Sequence, residues 1–287
     1  LQQADTLVFP VRVPALGAAK YSISKGDEGP FEAVSVSPAG LSNSKVQVKI
    51  DQATGAICSL RLQGLNSDFA TNGDDVGLND FFYVSGREPK DPQRNDRVTV
   101  TVMEEGPLLG KLAITCKAPG CKTLLRYISI RAGSPQVMIT NILDRENVYE
   151  QEGLHFAYDF NVTDGTVRME TPWAVVRPEL DQLAGACKNY FTVQRWVDAS
   201  NAAFGITLAT PDAPLIEIGS ITNDPRSSVG WIKTLPPSTR VYSYVMNNYW
   251  ETNYKASQPG KTSFNYALLP HGAFDQAAAT RFGMEQG

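Results

Sequence analysis

Metal-assisted hydrolysis needs three or four nitrogen, sulfur or carboxylate ligands converging on one ion, and this chain carries only two histidines, His155 and His271. It has no His-x-x-x-His pair, no His-x-Asp segment and no Cys-x-x-Cys unit, so a zinc site built from this chain alone is not expected. Nucleophilic catalysis needs a base beside the nucleophile, and Gly-x-Ser-x-Gly is missing. The phosphate-binding glycine loop and the dinucleotide fingerprint are missing too. A pair of carboxylates could still converge for glycoside hydrolysis, with Asp159, Glu217 and Glu251 as candidates, although a solvated strand or loop carboxylate is by far the commoner use of each. His155 lies in a strand pattern, and an imidazole there can serve as a general acid or base.

Aromatic and amide side chains offer a different chemistry. Trp173, Trp196, Trp231 and Trp250, with eleven tyrosines, supply faces for stacking on sugar rings or bulk for a core. The stretch Asn247-Asn248-Tyr249-Trp250-Glu251-Thr252-Asn253-Tyr254 concentrates amides, rings and one acid, and the turn Gln258-Pro259-Gly260 follows it. Amides hydrogen-bond to hydroxyl groups and rings stack on C–H faces, which suits a carbohydrate-lined rim; a polar strand crossing the structure would show the same mixture.

The elements that must position these groups read as β almost throughout. Lys45-Val46-Gln47-Val48-Lys49-Ile50 alternates polar and apolar residues, Asp51 to Gly55 turns, and Ala56 to Leu62 returns, which predicts a hairpin. Further strands are predicted over 97–102, 124–130, 137–142, 156–162, 165–169, 203–208 and 241–246. Helical signal is confined to Asp275-Gln276-Ala277-Ala278-Ala279-Thr280-Arg281-Phe282, with Asp275 as N-cap. Many short strands with Gly, Pro, Asn and Asp turns and no internal repeat indicate one large sandwich. Residues 1–39 read as a proline-rich lead-in strand and linker, and 40–287 as the sandwich domain, with the last ~45 residues as a candidate small β subdomain.

Composition bounds the function classes. Of 287 residues 42% are hydrophobic, enough for a large core without staples. Lys plus Arg number 26 against 30 Asp plus Glu, a net charge of −4 with no basic stripe, so a nucleic-acid partner is not expected. The apolar runs fall short of the ~18 residues that a membrane helix needs, so no membrane partner is expected either. Residue 1 is Leu, which reads as a mature product or an excised piece. Four cysteines are too few for a disulfide framework; Cys116 and Cys121 flank a turn-like segment, so either a hairpin disulfide or free thiols can be accommodated. The Asn161-Val162-Thr163 sequon leaves the compartment open.

The segment from Asn248 to Tyr254, the Gln258-Pro259-Gly260 turn and the strand Phe264-Asn265-Tyr266 resemble the C-terminal β-region of glycoside hydrolase family 38 α-mannosidases. Matches continue in order along nearly the whole chain. Pro14-Ala15-Leu16-Gly17 with Tyr21 is similar to the linker into that region, and Val46 to Leu60 to its first hairpin. Gln194-Arg195-Trp196-Val197-Asp198-Ala199-Ser200 and Gly205-Ile206-Thr207-Leu208 look like the central Trp-Val-Asp-x-Ser strand and its successor. The resemblance implies an all-β supersandwich of the galactose-mutarotase-like type, following a zinc-bearing catalytic domain whose metal ligands and nucleophile have no counterpart in this chain.

It also implies a role: a non-catalytic domain, inactive alone, that stabilises the N-terminal catalytic domain of its parent and lends loops to a pocket for a mannose-type glycan. Asn79-Asp80-Phe81-Phe82-Tyr83-Val84 looks like the stretch from which a tyrosine reaches the sugar, so Tyr83, Trp250 and Asn253 are the candidate substrate contacts. No cofactor is expected in this chain, and zinc is implied for the missing domain. The alternatives are a stand-alone carbohydrate-binding module and a mutarotase-like sugar epimerase built on His155.

Overall fold

A computed structural model describes residues 33–71, 76–249 and 255–287, with 2–3, 6–11, 13–14, 17–22 and 24 of the leading segment. In chain order the strands are β1 (Gln2–Gln3), β2 (Thr6–Leu7), β3 (Ser35–Ser37), β4 (Gly40–Ser42), β5 (Val46–Ile50), β6 (Ile57–Leu62) and β7 (Leu78–Ser85). They continue as β8 (Thr99–Glu105), β9 (Leu109–Ala118), β10 (Cys121–Arg131), β11 (Val137–Arg145), β12 (Glu152–Asp159), β13 (Thr166–Thr171) and β14 (Ala174–Val176). The last are β15 (Phe191–Thr192), β16 (Trp196–Ser200), β17 (Gly205–Ala209), β18 (Leu215–Ile218), β19 (Arg240–Asn247) and β20 (Gly260–His271), before helix α1 (Gln276–Glu285).

Eighteen of these strands form two nine-stranded antiparallel sheets. Sheet I runs β14-β13-β16-β17-β20-β11-β10-β9-β8, and sheet II runs β15-β18-β19-β12-β7-β6-β5-β4-β3. This is the all-β supersandwich that the strand pattern and the resemblance predict. The predicted hairpin forms with Val48 opposite Leu60. Val46, Val48 and Ile50 point into the core, and Gln47 and Lys49 face outward. Ser35–Ser37 already pairs with Gly40–Ser42 at the edge of sheet II. The final strand, β20, lies between β17 and β11 in the middle of sheet I.

One continuous apolar core fills the space between the sheets, from Val48 and Leu60 through Phe81 and Phe156 to Ile206 and Leu268. Its burial supplies the main driving force for folding. A polar knot is set inside it. The side chains of Asn79 on β7 and Asn141 on β11 exchange hydrogen bonds of 2.9 and 2.7 Å, and the Tyr158 hydroxyl donates to Asn79 Oδ1. The buried Arg126 donates to the Asn79 and Thr54 carbonyls, and burial pulls its pKa down. Because an unpaired buried polar group is costly, this knot ties the two sheets into one register.

Helix α1 starts where the sequence predicts, and Asp275 Oδ1 accepts from the Ala277 and Ala278 amides. The helix packs on the outer face of sheet I. There Gly283 lies against Trp196, and a Cβ would come within 2.7 Å of the indole. Cys58, Cys116, Cys121 and Cys187 are all free. Cys116 pairs across the β9–β10 hairpin with Leu124 and Cys121 with Ala118, so the two thiols are not cross-strand partners. Burial pushes the Cys121 thiol up to about 12.

Candidate functional site

The outer face of sheet II carries one group of buried ionisable side chains, among them Asp80, His155, Asp159 and Glu217. Along β12, Leu154, Phe156 and Tyr158 enter the core, so alternation sends His155, Ala157 and Asp159 to the other face. Register then fixes their neighbours: Phe82 and Tyr244 stand opposite His155, Tyr242 opposite Ala157, and Arg240 opposite Asp159. On β18, Glu217 pairs with Tyr242 and so joins the same face.

His155 and Glu217 are both 0% exposed. His155 stacks on Tyr244 at 4.3 Å between centroids and meets Tyr242 edge-on. Its Nε2 lies 2.8 Å from Glu217 Oε2, but off the hydrogen-bonding direction, and Nδ1 has no partner among the described residues. The other Glu217 oxygen, Oε1, accepts from the Thr222 amide at 2.8 Å, the Thr222 hydroxyl at 2.8 Å and the Asn223 amide at 2.9 Å. Glu217 therefore anchors the segment after β18 across the sheet. The Tyr244 hydroxyl donates to the Asn223 carbonyl, and Asp224 pairs with Arg87 and Arg226. Gly153 is required for this closure, since a Cβ would come within 2.8 Å of Asn223 Oδ1 and 3.0 Å of the Tyr249 hydroxyl. Burial, then the Glu217 charge, raises the pKa of both Tyr244 and Tyr249.

Further along the same face lies a polar cavity of about 430 Å³, lined by Asp51, Ser59, Arg61, Asp68, Asp80 and Arg94 among others. Asp80 forms part of its wall. Burial raises the Asp80 pKa and outweighs the opposing charges of Arg94, 2.6 Å away, and Arg126. The Arg94 guanidinium also lies 4.9 Å over the Phe82 ring. At Asp68, burial is outweighed by hydrogen bonds from Ser59, the Leu60 amide, Arg61 and the Ala70 amide, and the pKa falls. These carboxylates are largely engaged by protein donors.

Of the predicted sugar contacts, Tyr83 alone lies among the described residues. Tyr83 is 9% exposed and belongs to the core between the sheets; its ring abuts Gly120, where a Cβ would come within 2.7 Å. Burial, then a hydrogen bond to Glu152 and that residue's charge, raises its phenol pKa. Glu152 also pairs with Arg145, so Tyr83 braces a buried ion pair. Trp250 and Asn253, with Glu251, lie outside the described residues. Asp159 is taken by Arg240 at 2.6 Å.

His271 is far from His155 in the fold. It lies on sheet I, where its Nε2 is 2.7 Å from the buried Asp198. Asp198 also accepts from Ser200 and Thr207. Among the described residues no group of three or more His, Cys, Asp or Glu side chains is arranged to hold a metal ion.

Sequence reasoning gave no role to Asp80, Arg94 or Asp198. Asp80 and Asp198 lie in the motif stretches quoted above, but their partners are distant in sequence and only the assembled fold brings them together.

No protein-family model matches the chain, and no curated protein is significantly similar to it. Solved structures are. A protein of glycosyl hydrolase family 38 from Enterococcus faecalis superposes with a TM-score of 0.64 at 14% identity, over 91% of this chain and 33% of that one. An alpha-mannosidase from Enterococcus faecalis V583 gives the same score and identity over 90% and 32%. This chain shares its fold with part of these two proteins. It spans about a third of their length. A galactose mutarotase related enzyme from Lactobacillus acidophilus is more distant, with a TM-score of 0.47 and 10% identity over 82% and 98%.

Proposed function

We propose that this chain is the C-terminal β-sandwich domain of an α-mannosidase-like glycoside hydrolase. In this reading it stabilises the catalytic domain of its parent, which holds the zinc, and lends loops to a pocket for a mannose-type glycan. The observation that carries the reading is the asymmetry of the fold likeness: nine tenths of this chain corresponds to one third of a family 38 protein. The ordered motifs from Val46 to Tyr266 agree with it. Trp250 and Asn253 are the proposed sugar contacts. Tyr83 acts from behind, through the Arg145–Glu152 pair.

The epimerase reading fares worse on geometry. Proton transfer to a sugar needs the acid and base within hydrogen-bond reach of it. His155 and Glu217 are sealed beneath the Thr222–Asp224 segment, and Glu217 Oε1 already serves three donors.

Assaying the isolated chain with an aryl α-mannoside, with and without added zinc, tests the proposal. No turnover is expected; zinc-dependent turnover by this chain alone overturns it. In the parent-length protein, Trp250→Ala and Asn253→Ala are expected to raise KM while leaving zinc content unchanged.

A further inference from the structure

Strands β13 and β14 form the hairpin at one edge of sheet I, with Thr171 opposite Ala174, so Pro172 and Trp173 alone make the turn. Proline fixes its own φ near −65°, and Trp173 has a φ of +66°, which together define a type II turn. That turn calls for glycine at its second central position, because an L side chain is strained there. Trp173 nevertheless occupies it, and its side chain is wholly exposed, at 103% of the reference area. The ring buries nothing in return for the strain. A bulky residue held in this conformation without packing points to a use outside the fold.

The same hairpin walls a groove of about 410 Å³, a volume in the range of small-molecule sites. Its polar lining comes from Glu170, Thr171, Gln194, Arg195, Gln276 and Thr280. Arg195 holds Glu170 with two bonds, of 2.9 and 2.6 Å, so the one acid and the one base in the lining neutralise each other. The side-chain amides of Gln194 and Gln276 have no hydrogen-bond partner within the protein among the described residues. Gln276 and Thr280 are one turn apart and lie on the same face of α1. The groove thus offers an open indole face, two free amides, a hydroxyl and no uncompensated charge.

We propose that this groove is a binding site for a neutral pyranose ring, with its C–H face stacked on Trp173 and its hydroxyl groups bonded to Gln194 and Gln276. A charged ligand would leave its own charge unmatched here, and a flat apolar one would leave the amides unpaired. The site is formed by sheet I and α1, so it is separate from the outer face of sheet II. It stands on this groove alone and does not depend on the α-mannosidase reading.

Titration of the chain with methyl α-mannopyranoside, methyl β-glucopyranoside and methyl β-galactopyranoside, followed by ligand-observed NMR and tryptophan fluorescence, tests it. At least one glycoside is expected to bind saturably in the millimolar range. Trp173→Ala and Gln276→Ala should each weaken that binding tenfold or more, and Trp231→Ala, a change to another exposed indole, should not. Absence of saturable binding by all three glycosides overturns the proposal, and so does binding that survives Trp173→Ala. Self-association that Trp173→Ala abolishes, with no glycoside response, assigns the ring to a protein contact and overturns it equally. Circular dichroism of each variant separates lost binding from lost fold.

Discussion

Replacing Glu217 by glutamine decides whether the His155–Glu217 pair is a structural anchor or a proton relay. The substitution keeps the volume and leaves an oxygen to accept from Thr222 and Asn223, so no cavity opens. Three bonds lose their charge assistance in a site with no solvent access, at about 1 kcal/mol each. Such losses are not fully additive, so about 2–3 kcal/mol is expected in total. With a urea slope of about 3 kcal/mol/M, the unfolding midpoint falls by about 0.7–1 M. Hydrogen exchange at the Thr222 and Asn223 amides should accelerate in parallel, because the segment loses its anchor. His155→Gln removes the stack on Tyr244 and the edge contact with Tyr242, a loss of about 1–2 kcal/mol. The double variant should lose less than the sum. The reasoning fails if Glu217→Gln leaves the midpoint unchanged, above all if the parent chain catalyses aldose mutarotation and the variant does not.

Three further outcomes follow from the same structure. Burial pulls the His271 pKa down, but the hydrogen bond and charge of Asp198 and the Gly272 and Ala273 carbonyls raise it above its ordinary value of 6.5. The stabilisation is therefore complete below about pH 6.5 and is lost as pH rises through the folded-state pKa; the stability difference between the parent and His271→Gln, from urea melts, should shrink over that window. Trp173→Gly is expected to stabilise the chain by about 1 kcal/mol, since it relieves the left-handed turn and exposes no core, which thermal melts will show. Gly120→Ala places a methyl 2.7 Å from the Tyr83 ring at a φ of +70°, so a loss of about 2–4 kcal/mol is expected, read by denaturant unfolding.

Much of the fold was legible residue by residue. The alternation of Val46 to Ile50, the Asp51–Gly55 turn and the return through Leu60 predicted a hairpin, which the structure forms with Val48 opposite Leu60. Asp275 ahead of an alanine-rich run marked the helix start. The segment around Thr163-Asp164 was equally legible as a turn between strands, yet β12 lies in sheet II and β13 in sheet I, so the turn carries the chain across the sandwich. Local pattern identifies a strand; the choice of partner is made by residues far away.

The candidate site shows the same boundary more sharply. Alternation assigns an inside and an outside only while one face stays wet, and Leu78 to Val84 of β7 are buried on both. Nothing in the sequence around Tyr83 could reveal that its ring enters the core, or that Asp80 and Phe82 take the opposite face. His155 met Glu217, and His271 met Asp198, because antiparallel register carried each onto a shared face. Composition, turn residues and strand period determined by themselves that this chain is a large β-sandwich with one terminal helix. Which acids were neutralised, which histidine was sealed and which tryptophan was left in water was decided by long-range pairing, because burial and charge compensation belong to the assembled sheets and not to any single segment.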